Sequence, residues 1–178
     1  MAYSLETARL TLREFTPDDA GYMLRQLNEP SFIENIADRG VRTLTQAEHY
    51  LENGAIASYR STGFGFWAVI EKSSGETIGM CGLVKRPSLD YADLGYAFLP
   101  EYTGQGYAFE AGSACLKAAR SDFNLPRLLA IVNPDNHASR RLLEKLGFQL
   151  QDTRVINPGE SALCIYQIGP MQEVRHRT

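Results

Sequence analysis

The sequence predicts an α/β (α+β) fold: a mixed, mostly antiparallel central sheet flanked by about four helices. Three observations carry that prediction. The chain has 178 residues, 44% of them apolar, which suits one core and one domain over residues 1–178. Phe64 to Val84 reads as two strand-like runs about Ser73-Ser74-Gly75, the signature of a hairpin. Helical spacing from Gln105 to Phe123 separates the strand-like run Tyr91–Leu99 from the continuous apolar run Leu128–Val132, a strand–helix–strand pattern, and helical spacing returns from Asn136 to Leu146.

The elements follow in order. Leu10, Leu12 and Phe15 are the spaced apolar residues of a first strand, near 9–15. Thr16-Pro17-Asp18-Asp19 starts a helix, with Thr16 as N-cap, Pro17 in the first turn and two acids against the dipole. Tyr22, Met23, Leu24 and Leu27 form its apolar stripe before Asn28-Glu29-Pro30 ends it. A second helix starts at Thr45, with Glu48 completing a capping box. The hairpin pairs Phe64–Ile70 with Thr77–Val84, and Tyr91–Leu99 is the next strand. Gly147 stops the helix from Asn136. Two strands, 149–156 and 162–168, close the chain, giving the order β-α-α-β-β-β-α-β-α-β-β.

Composition excludes several functions. With 18 Lys/Arg against 21 Asp/Glu the net charge is -3, so the chain lacks the basic footprint of a nucleic-acid binder. The N-terminus has no apolar signal region, and no window reaches the roughly 18 apolar residues of a membrane span. Cys81, Cys115 and Cys164 are far apart and set among apolar residues, and no Cys or His pair has ligand spacing. They read as buried free thiols in a cytoplasmic protein, with no metal.

The informative stretch is LGYAFLPEYTGQGYAFEA, Leu94 to Ala111. A strand passes through Pro100 into Gly104-Gln105-Gly106 and then directly into helix-forming residues. A helix N-terminus offers unpaired N–H groups and the positive end of a dipole, and glycine lets a phosphate approach the backbone. A P-loop would need Lys-Ser or Lys-Thr after the glycines, and none follows. A dinucleotide fingerprint would need glycine at position 109, which is Phe109. Two readings stay open on the glycines alone: a pyrophosphate cradle built from the amides of Gly104 to Phe109, or a tight turn with no ligand.

Read together with NLPRLLAIVNPDNHASRRLLEKLGF, TARLTLREFTPDDA and FWAVIEKSSGETIGMCGL, this stretch resembles the GCN5-related N-acetyltransferase (GNAT) superfamily, in particular its RimJ/RimL-type branch. The resemblance covers Thr7 to Phe148. The family's cofactor motif, Gln/Arg-x-x-Gly-x-Gly/Ala, reads here with Thr103 at its first position, so the backbone amides are kept and a side-chain contact is lost.

The resemblance implies roles for particular residues. Acetyl-CoA is the acyl donor; Gly104, Gln105, Gly106, Tyr107, Ala108 and Phe109 hold its diphosphate. The strand around Ala97, Phe98 and Leu99 splays from its neighbour at a bulge and pairs with the pantetheine arm. The Phe98 amide faces the thioester carbonyl and stabilises the oxyanion of a tetrahedral intermediate. Asn136 contacts the arm or caps its helix. The tyrosine that many relatives use as proton donor is Leu143 here, so Ser139 takes that role, unless its hydroxyl merely bonds the backbone. Asp93 is the first candidate for the base, with a water chain as the alternative. Trp67, Phe64 and Phe66 read as core. Phe32, Tyr50 and Asn157-Pro158-Gly159 are candidate walls of the acceptor pocket.

Two functions follow. One is direct acetyl transfer from acetyl-CoA to a primary amine, a protein N-terminus or a small molecule, by a monomer or homodimer with no nucleic-acid or membrane partner. The other is a non-catalytic acyl-CoA sensor, which the missing tyrosine favours.

Overall fold

The computed structural model describes residues 2–169. Eight strands form one sheet in the order β1-β2-β3-β4-β5-β6-β8-β7. They are β1 (Ser4–Glu6), β2 (Leu10–Glu14), β3 (Phe66–Glu71), β4 (Thr77–Val84), β5 (Asp93–Phe98), β6 (Leu128–Val132), β7 (Gln149–Arg154) and β8 (Leu163–Ile168). Every neighbouring pair is antiparallel except β5 and β6, which are parallel. A parallel pair needs a crossover, and helix α5 (Tyr107–Ser121) supplies it.

The helices divide between the two faces of the sheet. On one face lie α1 (Ala20–Asn28), α2 (Pro30–Asn35) and α3 (Leu44–Leu51), while Tyr59 of the short α4 (Ala57–Thr62) packs against the core of the other face. Met23, Leu27, Phe32, Ala47 and Leu51 pack on Ala68 and Met80. On the other face α5 and α6 (His137–Leu146) cover the larger core, built on Trp67, Ile78, Leu83, Leu94, Leu128 and Tyr166. Each leucine or isoleucine buried this way contributes about 2 kcal/mol. Cys81 on β4 and Cys115 on α5 meet in this core as free thiols with sulfurs 3.6 Å apart. The hydrogen bond to Cys81, together with burial, pushes the Cys115 thiol well up.

The expected mixed, mostly antiparallel sheet is present, and several boundaries move. Thr16 caps as expected and forms a capping box with Asp19, but the first turn is a 3-10 turn over Pro17–Asp19. The second helix starts two residues earlier than expected: Thr43, not Thr45, is the N-cap, and Gln46, not Glu48, closes the box. That helix continues through a wider turn at Glu52–Ile56 into α4, which ends at Gly63 with φ 87°. Two elements were not expected. Strand β1 carries a single apolar residue, Leu5, too little for a periodic signal. Pro30 ends α1 but also opens α2, since a residue without N–H is at home in a first helical turn. No helix among the described residues is long and apolar enough to cross a membrane.

Candidate active site

The site is built around the end of β5. Between β5 and β6 only one residue pair is registered, Asp93 with Leu129, and the Leu129 N–H donates to the Ala92 carbonyl at 2.9 Å. Beyond that point the strands diverge. On the other side β5 stays in register with β4 from Asp93 to Phe98 without interruption. The splay therefore arises from the departure of β6, and the bulge expected in β5 is not found in this paired stretch.

Main-chain direction alternates along a strand. The Leu99 N–H donates at 2.9 Å to the Ile78 carbonyl just before β4's partner register, so Leu99 faces β4. The Ala92 carbonyl faces β6. Alternation then turns the N–H and C=O groups of Tyr96 and Phe98 toward the side that β6 has vacated. Gln26, a buried residue of α1, brings its amide Nε2 to 3.4 Å from the Phe98 carbonyl, and the Tyr22 hydroxyl donates to Gln26 Oε1 at 2.6 Å.

The chain leaves β5 through a 3-10 turn at Pro100–Tyr102 and enters the glycine loop. Gly104 has φ 75° and Gly106, the N-cap of α5, has φ 85°. Side chains pay 1–2 kcal/mol for this left-handed region, in round figures about that per residue, so glycine suits both positions. No side chain caps the helix. The first backbone N–H of the helix to find a protein acceptor is that of Glu110, on the Gly106 carbonyl at 3.0 Å. Among the described residues, the N–H groups of residues 104–109 donate to no protein group. They are an exposed ring of donors at the positive end of a dipole.

Side chains pin the loop from outside. The Arg9 guanidinium lies 4.2 Å from the Tyr107 ring centroid and its Nε pairs with Glu110 at 2.8 Å. Glu110 also accepts from the Thr7 hydroxyl at 2.6 Å and the Arg9 N–H at 2.8 Å. Burial pushes the Glu110 carboxyl up, but these three donors outweigh it and hold the group low. Arg25 on α1 pairs with Glu101 at 2.8 Å, and Gln105 Nε2 donates to the Glu101 carbonyl at 3.0 Å. Glu101 thus ties the turn to α1. The Tyr107 hydroxyl donates to Glu71 at 2.5 Å.

Asp93 is fully buried at the closed end of the splay, on the same face of β5 as Ala97, which packs against the core beneath α1 and α3. Arg86 Nε sits 2.8 Å from its carboxylate. Burial pushes the Asp93 pKa up, against the pull of Arg86. On the opposite face, Asn136 caps α6 by accepting the Ser139 N–H at 3.2 Å. The Ser139 hydroxyl lies 2.6 Å from the Tyr96 hydroxyl. Leu143 is buried in the larger core. His137 is exposed at the first turn of α6.

Of the residues singled out in the sequence, Phe98 turns its main-chain groups to the vacated edge, Ala97 and Leu99 turn theirs to β4, and Gly104, Gln105, Gly106, Tyr107, Ala108 and Phe109 follow in the loop and first turn of α5. Ser139 and Asn136 come to that edge from across the splay; Asp93 lies under it on the other face. Trp67 and Phe64 are core, as expected, and Phe66 packs beside Gly95, where an added Cβ would stand 2.7 Å from its ring. Sequence reasoning missed Tyr96, Arg86, Arg9 and Gln26. Tyr96 stands on the face opposite Asp93 by the period of a strand, and no local pattern names a partner 43 residues away.

Comparison with known proteins agrees with this geometry. The profile of the acetyltransferase (GNAT) domain matches residues 9–149. The uncharacterized N-acetyltransferase YoaA of Bacillus subtilis (strain 168) is 30% identical over 146 residues, 82% of each chain. The crystal structure of an acetyltransferase from Agrobacterium tumefaciens str. C58 superposes with a TM-score of 0.79 at 25% identity, covering 94% of both chains. RimL, a ribosomal L7/L12 alpha-N-protein acetyltransferase solved in complex with coenzyme A, shares the fold with a TM-score of 0.80 at 15% identity, over 93% of this chain and 97% of that one. Sheet topology, a splayed parallel pair, an uncapped glycine-led helix and a profile spanning most of the chain converge, and the protein is a member of the GNAT acetyltransferase family.

Proposed function

We propose that this protein transfers the acetyl group of acetyl-CoA directly to a primary amine, either a protein N-terminal amine or a small-molecule amine, in the manner of the RimJ/RimL-type branch. The observation that carries this reading is two sets of unspent main-chain donors: those of Tyr96 and Phe98 on the vacated edge of β5, and the N–H groups of residues 104–109. A diphosphate suits the second group and an amide-bearing arm the first, because each offers what the backbone there lacks.

The chain's own groups then have distinct tasks. Gly104 to Phe109 bind by main chain, so Thr103 in place of a longer polar residue costs one contact and leaves the cradle. Ala97 to Leu99 orient the arm, with Asn136 holding the opposite wall. The Phe98 N–H points at developing negative charge on the carbonyl oxygen; a donor in that role supplies about 3–4 kcal/mol. The amine attacks from the α1 face, its proton leaving through water or through Asp93, and Ser139 faces the departing sulfur. The three cysteines take no part: all are buried, and none has a base beside it. The free thiols suit a reducing, cytoplasmic setting.

The test is incubation with acetyl-CoA and a panel of unblocked peptides, polyamines and amino sugars, scored by release of free thiol. Amine-dependent release identifies the acceptor. Tight binding of acetyl-CoA with no release on any amine selects the non-catalytic sensor instead, the reading that leucine in place of tyrosine at position 143 favours.

A further inference from the structure

Across the splay, β5 and α6 meet at Tyr96 and Ser139, whose hydroxyls approach to 2.6 Å. Tyr96 projects from the edge that β6 has vacated, and Ser139 stands in the first turn of α6, which follows β6. The contact thus lies over the gap, on the α5/α6 face, beside the main-chain groups of Tyr96 and Phe98. Other demands on Ser139 are already met. Its N–H is spent on Asn136 Oδ1 at 3.2 Å, and its carbonyl lies 3.4 Å from the Tyr96 oxygen, too far to compete with the shorter contact.

A serine hydroxyl has one proton and two lone pairs. If that proton goes to Tyr96, none remains for a ligand; if Tyr96 donates, the serine proton is free. A phenol is the more acidic partner and so the better donor, and an aliphatic hydroxyl is the better acceptor. Tyr96 therefore donates, and the Ser139 proton turns into the splay.

We propose that Tyr96 is a positioning residue: its hydroxyl holds Ser139 in the one orientation that aims the serine O–H at the sulfur leaving in acetyl transfer. This rests on the transfer reading above. In the step, the amine nitrogen bonds the carbonyl carbon and the carbon–sulfur bond breaks with its electron pair going to sulfur. The Ser139 O–H hydrogen-bonds that sulfur without giving up its proton, and the amine's extra proton leaves to water. No oxidant, metal or protein nucleophile enters the balance. Tyr96 thereby supports, through serine, the position at which Leu143 offers no hydroxyl.

Coenzyme A itself is the probe, because a donor aimed at its sulfur makes the bound thiol more acidic whether or not an acceptor is known. The thiol of bound CoA is titrated by the ultraviolet absorbance of its thiolate, in wild type, Tyr96→Phe, Ser139→Ala and Ser139→Thr. One hydrogen bond to a charged group corresponds to about a tenfold change in acid dissociation constant. Wild type and Ser139→Thr are expected to show that enhancement over free CoA, and Tyr96→Phe and Ser139→Ala to lose most of it. With an acceptor from the amine panel, Tyr96→Phe should lower kcat about tenfold with KM for acetyl-CoA within about twofold. A thiol in Tyr96→Phe as acidic as in wild type overturns the positioning role while leaving the transfer reading intact. Failure of CoA to bind wild type overturns both. If Tyr96→Phe does not fold, fluorotyrosine at position 96 strengthens the donor instead; it should acidify the thiol further, and an unmoved titration overturns the proposal.

Discussion

Arg86 Nε lies 2.8 Å from the carboxylate of Asp93, a fully buried residue at the point where β5 and β6 still pair. The guanidinium is the largest offset to the burial that drives the Asp93 pKa upward. Arg86→Ala leaves that charge buried and alone, a change that typically costs about 3–5 kcal/mol. The sign with pH is fixed by direction. A carboxyl whose folded pKa is raised binds a proton more readily folded than unfolded, so stability is lost as pH climbs from the unfolded value through the folded one. Removing Arg86 raises the folded value further. Urea denaturation should show a large deficit for Arg86→Ala near neutral pH and a much smaller one near about pH 4, where the lone carboxyl is protonated.

Gly106 caps α5 at φ 85°, and a Cβ there would stand 3.3 Å from an Arg9 guanidinium nitrogen. Gly106→Ala takes on about 1–2 kcal/mol of left-handed strain and crowds the arginine that braces the loop. We expect KM for acetyl-CoA to rise about tenfold with kcat little changed. Gly104→Ala, also at positive φ but with open space around its Cβ, should perturb Arg9 less and give the smaller effect.

Gly79 on β4 faces Phe98. A Cβ at Gly79 would meet the Phe98 ring at 2.5 Å and the Ala97 carbonyl oxygen at 2.8 Å. Neither can yield without moving β5, the strand whose free edge is the proposed site. Gly79→Ala should therefore lower stability by about 1–3 kcal/mol and reduce kcat beyond what the lost stability explains. Steady-state kinetics well below the unfolding midpoint separate the two effects.

Leu143, where the family resemblance leads us to expect a tyrosine, has its side chain packed in the core under α6. Leu143→Tyr brings a larger, polar side chain into a filled space. A lowered unfolding midpoint with no gain in kcat is the expected result, and a gain would mean that the hydroxyl reaches the splay after all.

How much of this was legible in the sequence depends on the range of the interaction. The capped start at Thr16, the hairpin around Gly75 and the stop at Gly147 are local devices, set by residues a few positions apart, and they are found where expected. Strand β6 was bounded correctly because a buried parallel strand is apolar throughout. Pro30 was misread in part, since its ring both ends one helix and begins the next. The start of α3 was displaced because Thr43 and Thr45 both offer a capping hydroxyl, and the one with Gln46 three residues on forms the box. The glycine loop was legible because its chemistry is in the backbone. The pairs Tyr96–Ser139, Arg86–Asp93 and Arg9–Glu110 were not, since each depends on how separate elements come together.

Thermal unfolding with and without acetyl-CoA tests the central claim most directly. Ligand at about 100 times its Kd stabilises by about 2.7 kcal/mol, so the account predicts a rise in midpoint of roughly 5–10 °C for a domain of this size, reduced in Gly106→Ala. An unchanged midpoint at saturating acetyl-CoA would contradict it, since donors left open along β5 and residues 104–109 would then have no diphosphate and no thioester arm to receive.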